Sequence, residues 1–435
     1  MSYYLIQGQN KLRGEIKVNS TKNSTVAILA AALLNQGTTE LFNFPDLEEA
    51  KRMMEILESL GVRFKRLGAR HLKIIPPKKI NLAALNFQAA NKTRSVLFLF
   101  GILMHYFKTF KLPKAGGCKL GLRTIAPYLY GLENFGLKIS ASAQYYLTKR
   151  IKKSPPREIV LYESGDTVTE TMLMAAALTP REITIKYASA NYQVQELCFL
   201  LEKLGVKIQG IGTTTLTVTG KKTINKNVSY ELAEDPIEAM LFIALAATTA
   251  SAITIKGCPI DFLELELLKL SKMGFKYQIL KKYFSRNQKT RLVDLKTFPS
   301  RLKALADKID SRPYPGLNID NLPFFVPIAT QASGSTLIHD WVYENRAVYY
   351  NELNRLGAQI TLADPHRVYV TGPAKLVGAE MVCPPALRPA VIILIAMIAS
   401  RGKSILRNIY SIDRGYENLP ERLKKLGVKI KKVEE

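Results

Sequence analysis

The sequence predicts an α/β protein made of six similar units, and a repeated phrase carries this prediction. The phrase has the form Leu-x-x-apolar-Gly, followed by alternating apolar and basic residues, and recurs about every 70 to 80 residues along the chain. Its spaced apolar residues are typical of the buried face of a helix. Its glycine suits the left-handed backbone conformation that ends a helix, and the alternating residues after the glycine indicate a strand. The six glycines are Gly61, Gly136, Gly205, Gly274, Gly357 and Gly427.

Each unit also contains a helix that is apolar on all sides, which predicts that it is buried. None of the six reaches the roughly 20 apolar residues that a membrane-spanning helix needs, so we expect no membrane partner. The predicted apolar helices are 25–34, 96–104, 171–178, 239–247, 324–332 and 390–399.

Composition predicts a cytoplasmic protein without a metal site. With 435 residues, 47% of them hydrophobic, the chain is large enough for two cores of three units each. Its first residues alternate like a strand and lack the apolar run of a secretion signal. The four cysteines form no CxxC pair, and the four histidines have no metal-ligand spacing.

The net charge of +26 raises the question of nucleic-acid binding. Lysines and arginines are spread over most of the polar positions, without a compact basic motif or interleaved aromatic residues. We therefore expect no nucleic-acid partner. The positive charge should instead attract small phosphorylated anions.

Polar or charged residues directly precede each apolar helix. Unpaired backbone N–H groups and the positive end of the helix dipole favour anions at this position. Helix capping explains any one of these residues, but the whole set indicates a phosphate-binding site if the six units pack alike. The residues are Lys22, Asn23, Arg94, Glu163, Ser164, Gly165, Asp166, Thr167, Glu234, Asp235, Asp320, Leu387 and Arg388.

A glycine-rich loop at residues 113–123 contains Cys118 among three basic residues. Positive neighbours lower the pKa of a thiol, and glycines allow a loop to move. A buried, inert cysteine is the alternative, and Cys198 and Cys383 fit that description because they lie beside apolar neighbours. The surroundings of Cys118 instead favour a reactive thiol on a mobile lid.

Seven short motifs occur in an order and spacing that resemble the UDP-N-acetylglucosamine enolpyruvyl transferases. The resemblance covers the whole chain, and the cysteine loop makes it closer than the resemblance to 5-enolpyruvylshikimate-3-phosphate synthases. The motifs are TKNS (21–24), KTRS (92–95), GGCKLGLR (116–123), SGDT (164–167), PYPGLNID (313–320), YENR (343–346) and IDRGYE (412–417).

This resemblance implies an inside-out α/β barrel of six βαβαββ units in two three-unit domains. Because the N-terminal strand of this family packs with the second half of the chain, it implies one domain of residues 22–230 and another of residues 1–21 and 231–435. It also implies a cleft between the domains that closes over the substrates and excludes water.

The implied activity is transfer of the enolpyruvyl group of phosphoenolpyruvate to the 3-hydroxyl of UDP-N-acetylglucosamine, with release of phosphate. This reaction is the first committed step of peptidoglycan synthesis. The resemblance implies no cofactor, and it implies alkylation of the loop cysteine by the epoxide fosfomycin. The sequence does not determine the oligomeric state, and we expect a monomer.

The resemblance also assigns roles to individual residues. Cys118 would protonate C3 of phosphoenolpyruvate or add to the substrate covalently, and Asp320 would take the proton of the acceptor hydroxyl. Asn23 and Arg346 would contact the acceptor sugar and the transition state. The cations expected to bind phosphate and carboxylate are Lys22, Arg94, Arg123 and Arg414. The other expected substrate-binding residues are Ser164, Gly165 and Arg388.

Five features depart from the family pattern, and most lie on the acceptor side. The departures leave two alternatives open, namely a transferase with a different hydroxylated acceptor and a non-catalytic relative that serves as a binding module. They are Ala386 for an aspartate, Glu48 at a basic position, Ala126 for an aspartate that recognises uracil, ANYQ (190–193) for Arg-Glu-Pro-Glu, and Glu163 in the turn that binds diphosphate.

Overall fold

The computed structural model describes residues 2–9, 11–116 and 124–434. The predicted site residues Cys118 and Arg123, with the rest of segment 117–123, lie outside the described residues. Strands and helices alternate along the described chain, as the repeat predicts.

The strands are mostly short. They are β1 (Ser2–Gln7), β2 (Glu15–Lys17), β3 (Thr39–Phe42), β4 (Arg63–Gly68), β5 (His71–Ile75), β6 (Thr109–Pro113), β7 (Leu137–Ala141), β8 (Tyr145–Arg150), β9 (Glu158–Val160), β10 (Glu182–Lys186), β11 (Lys207–Gln209), β12 (Thr215–Thr219), β13 (Val228–Glu231), β14 (Thr254–Pro259), β15 (Lys276–Phe284), β16 (Arg291–Phe298), β17 (Leu302–Lys303), β18 (Ile309–Asp310), β19 (Ala332–His339), β20 (Gln359–Asp364), β21 (Arg367–Gly372), β22 (Glu380–Val382), β23 (Lys403–Arg407) and β24 (Lys429–Glu434).

The helices include both α and 3₁₀ segments. The α-helices are α1 (Lys22–Ala31), α2 (Glu48–Ser59), α3 (Phe87–Ala90), α4 (Phe98–Leu103), α5 (Ala126–Glu133), α6 (Asp166–Ala177), α7 (Tyr192–Lys203), α8 (Pro236–Thr248), α9 (Glu264–Lys272), α10 (Phe325–Ala329), α11 (Leu387–Ala399), α12 (Tyr410–Asp413) and α13 (Leu419–Lys425). The 3₁₀ segments are Ala32–Leu34, Leu82–Ala84, Arg94–Leu97, Ile260–Phe262, Leu322–Phe324 and Ala347–Leu356.

Within the described ranges the strands form six sheets, one for each repeat unit. In several of them the strand before an apolar helix pairs in parallel with the strand after it, as β9 does with β10 across α6 and β22 with β23 across α11. The strand orders are β13-β3-β5-β4, β6-β8-β7, β11-β12-β10-β9, β15-β16-β14-β2, β17-β19-β21-β20 with β18 beside β19, and β22-β23-β1-β24.

Four strand pairings join distant parts of the chain. β1 lies between β23 and β24, β2 pairs with β14, and β13 pairs with β3. Two N-terminal strands therefore belong to sheets of the second half. The described residues group into a first lobe, 20–116 with 124–233, and a second lobe, 2–19 with 234–434. The domain boundaries at residues 22 and 230 stay a prediction.

The six predicted apolar regions are buried, and five of them are helical over nearly their whole predicted length. In the region predicted at 324–332 the helix ends at Ala329 and Ala332 already begins β19. Every residue of α8 is buried, and so is nearly all of α11. In the first lobe α4 packs on both α1 and α6, and in the second lobe α8, α10 and α11 pack on one another. No helix among the described residues combines the length and apolar character that crossing a bilayer requires.

The glycine that closes each repeat phrase has the predicted left-handed backbone conformation. The φ angles of the six lie between 79° at Gly136 and 99° at Gly61. A residue with a Cβ is strained at such angles. At Gly136 a Cβ would also lie 2.7 Å from the carbonyl oxygen of Ile151. These positions therefore require glycine for the helix to end and the next strand to begin.

Candidate active site

In the first lobe, Lys22 and Asn23 form the first turn of α1. The ammonium Nζ of Lys22 donates to Asn23 Oδ1 at 2.6 Å, and Asn23 Nδ2 donates to Tyr192 Oη at 3.1 Å. Tyr192 is buried and begins α7. The starts of α1 and α7 therefore meet. The departing segment 190–193 directly contacts a predicted substrate-binding residue.

A buried carboxylate in α7 holds the chain that leads into Lys22. Glu196 accepts a hydrogen bond from Thr21 Oγ1 at 3.0 Å and another from the Ala233 N–H at 2.7 Å. The Thr21 N–H donates in turn to the Ala233 carbonyl at 2.9 Å. Two hydrogen bonds thus fix Thr21, and a third holds Ala233 to Glu196, which together set the direction in which α1 starts.

Arg94 begins the 3₁₀ segment that leads into α4. Its Nη2 donates to the carbonyl oxygen of Thr124 at 2.9 Å. Burial raises the pKa of the Glu163 carboxyl, and the positive charge of Arg94 opposes that rise. The predicted phosphate-binding cation therefore has an acidic neighbour.

Ser164 and Gly165 form the turn into α6. Ser164 Oγ donates to the Ala188 carbonyl at 3.2 Å, and Gly165 is the N-cap residue. Glu163 Oε1 lies 2.7 Å from the position that a Cβ on Gly165 would take. The Glu163 carboxylate therefore lies over the positive end of α6, where the resemblance places a diphosphate.

In the second lobe, Asp320 lies in a turn that precedes the 3₁₀ segment Leu322–Phe324. Its N–H donates to Asn318 Oδ1 at 2.8 Å. The buried carboxyl of Glu266 accepts from the Asn318 N–H at 3.2 Å and from Asn321 Nδ2 at 2.8 Å. These bonds hold the turn on both sides of Asp320.

Two arginines lie beside the Asp320 carboxylate. Arg388, in the first turn of α11, donates from Nη2 to Asp320 Oδ2 at 3.0 Å and from Nη1 to Tyr416 Oη at 2.6 Å. Arg346 Nη1 lies 3.9 Å from Asp320 Oδ1. The Asp320 side chain is 24% exposed. The structure therefore brings three predicted site residues together in one cluster, which we call the Asp320 cluster.

Arg346 is fully buried and is held mainly by Asp340. Its Nε and Nη2 donate to the two Asp340 carboxylate oxygens at 2.5 and 2.9 Å, and Nη2 also donates to the Ile319 carbonyl at 2.8 Å. Tyr350 Oη donates to the same carboxylate. Arg346 therefore anchors the residue that precedes Asp320. Its direct contact with the acceptor stays a prediction.

Arg414 and Ala386 lie in the same lobe. Arg414 follows α12 and is partly exposed. Ala386 is fully buried and is the N-cap residue of α11. An aspartate at an N-cap accepts from the second or third N–H of the helix, and the third residue here is Pro389, which has none. The family aspartate is therefore missing here, and so is one of the two backbone N–H groups that an aspartate at this position could bond.

The three described cysteines are buried. Burial raises the pKa of the Cys383 thiol to about 12, with a smaller contribution from Asp413, and it also raises the pKa of Cys198 and Cys258. They fit the inert core role expected of Cys198 and Cys383. Within the described ranges no three His, Cys, Asp or Glu side chains are grouped to hold a metal ion.

Sequence reasoning missed four residues that position the site, namely Glu196, Glu266, Asp340 and Tyr416. Tyr416 could have been found, because it lies in the IDRGYE motif, two residues after Arg414. Asp340 directly follows strand β19, where a carboxylate before a loop is a recognisable signal. The two glutamates lie on amphipathic helices and resemble ordinary surface residues in the sequence.

The family described as EPSP synthase (3-phosphoshikimate 1-carboxyvinyltransferase) has a model that matches residues 6–423. The chain belongs to this family of carboxyvinyl (enolpyruvyl) transferases. The predicted enzyme class is therefore confirmed.

The UDP-N-acetylglucosamine 1-carboxyvinyltransferases of Treponema denticola and Treponema pallidum are 33% and 31% identical to the chain, each over 99% of both sequences. They confirm the resemblance found in the motifs. The crystal structure of the enolpyruvyl transferase NikO from Streptomyces tendae has a TM-score of 0.85 at 23% identity, and 99% of each chain is covered. That likeness confirms the predicted fold class.

Proposed function

We propose that this chain transfers the enolpyruvyl group of phosphoenolpyruvate to the 3-hydroxyl of UDP-N-acetylglucosamine and releases phosphate. The observation that carries the proposal is the similarity, over nearly the full length of both sequences, to relatives named for this reaction. The same similarity favours this acceptor over a different one. The Asp320 cluster supports catalysis, because a binding module has no need of a carboxylate fixed beside two arginines.

The reaction has two stages. The acceptor oxygen bonds to C2 of phosphoenolpyruvate while Asp320 takes the hydroxyl proton and C3 gains a proton from Cys118. A proton then leaves C3 and phosphate leaves C2, which restores the vinyl group. Cations bind the phosphate and carboxylate throughout and stabilise charge in the transition state. They are Lys22, Arg94, Arg123 and Arg414.

Arg346 supports an acceptor position beside Asp320. Among the described residues, its Nη1 has no hydrogen-bond partner although it is buried. Buried donors are nearly always bonded, so such a group indicates a place for a ligand oxygen or a water. An acceptor hydroxyl next to Asp320 would receive this bond. Asn23, Ser164, Gly165 and Arg388 are proposed to bind the remainder of the substrates.

The experiment that tests the proposal measures phosphate release from phosphoenolpyruvate with and without UDP-N-acetylglucosamine. We expect release only when both are present, with a product whose mass equals that of the acceptor plus the enolpyruvyl group. Binding of phosphoenolpyruvate without any turnover would favour a different acceptor. Binding of neither compound would favour a non-catalytic protein.

A labelling prediction concerns Cys118. We expect fosfomycin to add one molecule to the native protein at Cys118, because the other three cysteines are buried and their thiols are held protonated. Intact-protein mass spectrometry followed by peptide mapping measures this. Cys118→Ser should take up none. An unlabelled parent protein, or an adduct on any other cysteine, contradicts a reactive thiol in the loop.

A second prediction concerns the missing aspartate. Ala386→Asp should raise kcat by about tenfold or more, because it restores at the start of α11 the aspartate that, by the resemblance, works beside the cysteine and the base. Ala386→Asn is the matched control, since it can also cap the helix but carries no charge. Steady-state phosphate release compares the three proteins. Equal kcat for the parent and the aspartate variant would mean that the chain needs no carboxylate at this position.

A further inference from the structure

A pocket in the second lobe is lined by residues that have no assigned role in enolpyruvyl transfer. Its volume is about 380 Å³, and it lies where β18 and the end of β19 run parallel, with Asp310 opposite His339 in the register. Ligands of α/β proteins bind beyond the carboxyl ends of parallel strands. The lining residues are Lys308, Asp310, Arg312, Pro313, His339 and Trp341.

Trp341 gives this pocket a fixed aromatic wall. It is the only tryptophan of the chain and is 47% exposed. Its Nε1 donates to the Ser311 carbonyl at 2.7 Å, which ties the loop after β19 to the loop after β18. The polar edge of the indole is therefore bonded while about half of the residue is open to solvent. A ring held in this way offers a stacking surface for another planar ring.

The pocket also carries positive charge. Asp310 binds Arg312 Nη2 at 3.2 Å and lies 3.8 Å from Lys308 Nζ, so that one carboxylate faces two cations. The Arg312 side chain is 66% exposed and therefore able to turn toward a ligand. Burial lowers the pKa of His339, and Lys308 and Arg367 lower it further against the opposing effects of Asp310 and Asp364.

We propose that this pocket binds nucleoside phosphates, with the base against Trp341 and the phosphate at Lys308 and Arg312. Arginine and lysine are the side chains that bind phosphate oxygens, and an indole face stacks with any planar base. The residue before Trp341 is Asp340, whose carboxylate holds Arg346 in the Asp320 cluster. A bound nucleotide would therefore lie one residue from the network that positions Asp320.

The test titrates the full chain with uridine 5′-monophosphate and follows the fluorescence of Trp341, which has no other tryptophan to obscure it. We expect saturable quenching. Lys308→Ala and Arg312→Ala should each weaken binding of the nucleotide about tenfold. Uridine, which lacks the phosphate, should also bind the parent protein less tightly than uridine 5′-monophosphate does. Lys303→Ala is the matched control, an exposed lysine on β17 of the same sheet, and should leave the affinity unchanged.

Calorimetry with Trp341→Ala tests the position of the base, and we expect about a tenfold loss of affinity because base stacking is removed. The proposal is overturned if quenching by the nucleotide does not saturate, or if Arg312→Ala and Lys308→Ala bind it as tightly as the parent protein does. Unchanged affinity in Trp341→Ala overturns the stacked arrangement. Phosphate release by the same samples is measured separately, so loss of this proposal leaves the proposed transfer reaction intact.

Discussion

Asp320→Asn is expected to lower kcat about a thousandfold, because the amide cannot accept the proton of the acceptor hydroxyl. Asparagine has nearly the same shape as aspartate and still offers an oxygen to Arg388, whose Nη2 lies 3.0 Å from the native carboxylate. The turn itself is held by Asn318 and Glu266 rather than by the Asp320 side chain. The variant should therefore fold and bind phosphoenolpyruvate. Phosphate release and thermal unfolding measure the two properties.

Asp364→Asn is a suitable control, because this aspartate also pairs with an arginine, Arg367 at 2.6 Å. It lies on the edge strand β20 and is not part of the Asp320 cluster. It should keep the activity of the parent. If Asp320→Asn retained more than about a tenth of kcat, another group would have to be the base. A variant that loses stability together with activity would point to a structural role for Asp320.

The most predictable part of the fold was the end of each repeat. A helix stripe followed by glycine and an alternating strand depends on neighbours along the chain, and all six glycines have the expected conformation. The starts of the apolar helices were placed less well. The first helix begins at Lys22 rather than at residue 25, and the last at Leu387 rather than at 390. Hydrophobic patterning finds only the buried turns, so it predicts the polar first turn as part of the loop before the helix.

The departing segment 190–193 could not be understood from the sequence, because its explanation lies in another helix. Asn191 Nδ2 donates to Asp166 at 2.9 Å, and Gln193 Nε2 donates to Glu170 at 3.3 Å. Burial, together with Asp166 and Glu196, raises the pKa of Glu170 well above its ordinary range, and Gln193 opposes that rise. Glutamates at 191 and 193 would add negative charge beside these carboxyls. The two amides instead donate hydrogen bonds to them.

The contacts of Arg346 could not be predicted from the sequence either. A motif places an arginine near a substrate, yet nothing local to YENR reveals that the side chain is fully buried against Asp340. Burial of an arginine depends on the packing of β19, the loop after it and the Asp320 turn. The sequence therefore singled out Asp320, Arg346 and Arg388 as candidate site residues but not how each side chain is held.

Arg346→Met is expected to lower the free energy of unfolding by about 3 to 5 kcal/mol, because it leaves the Asp340 carboxylate buried without its cation. It also removes the bond from Nη2 to the Ile319 carbonyl, so kcat should fall as the Asp320 turn loosens. Urea unfolding and phosphate release measure the two effects. Arg355→Met is the matched control. Its side chain is 60% exposed and lies 3.8 Å from Glu352, so stability should change by less than about 0.5 kcal/mol.

The double variant Arg346→Met with Asp340→Leu separates stability from positioning. Replacing both members of a buried ion pair by apolar side chains removes the uncompensated charge, and most of the lost stability should return. Activity should stay low, because neither new side chain can bond the Ile319 carbonyl or reach Asp320 with a donor. If kcat recovered along with stability, Arg346 would act only by filling and neutralising the core. Arg346 would then no longer count among the residues that position Asp320.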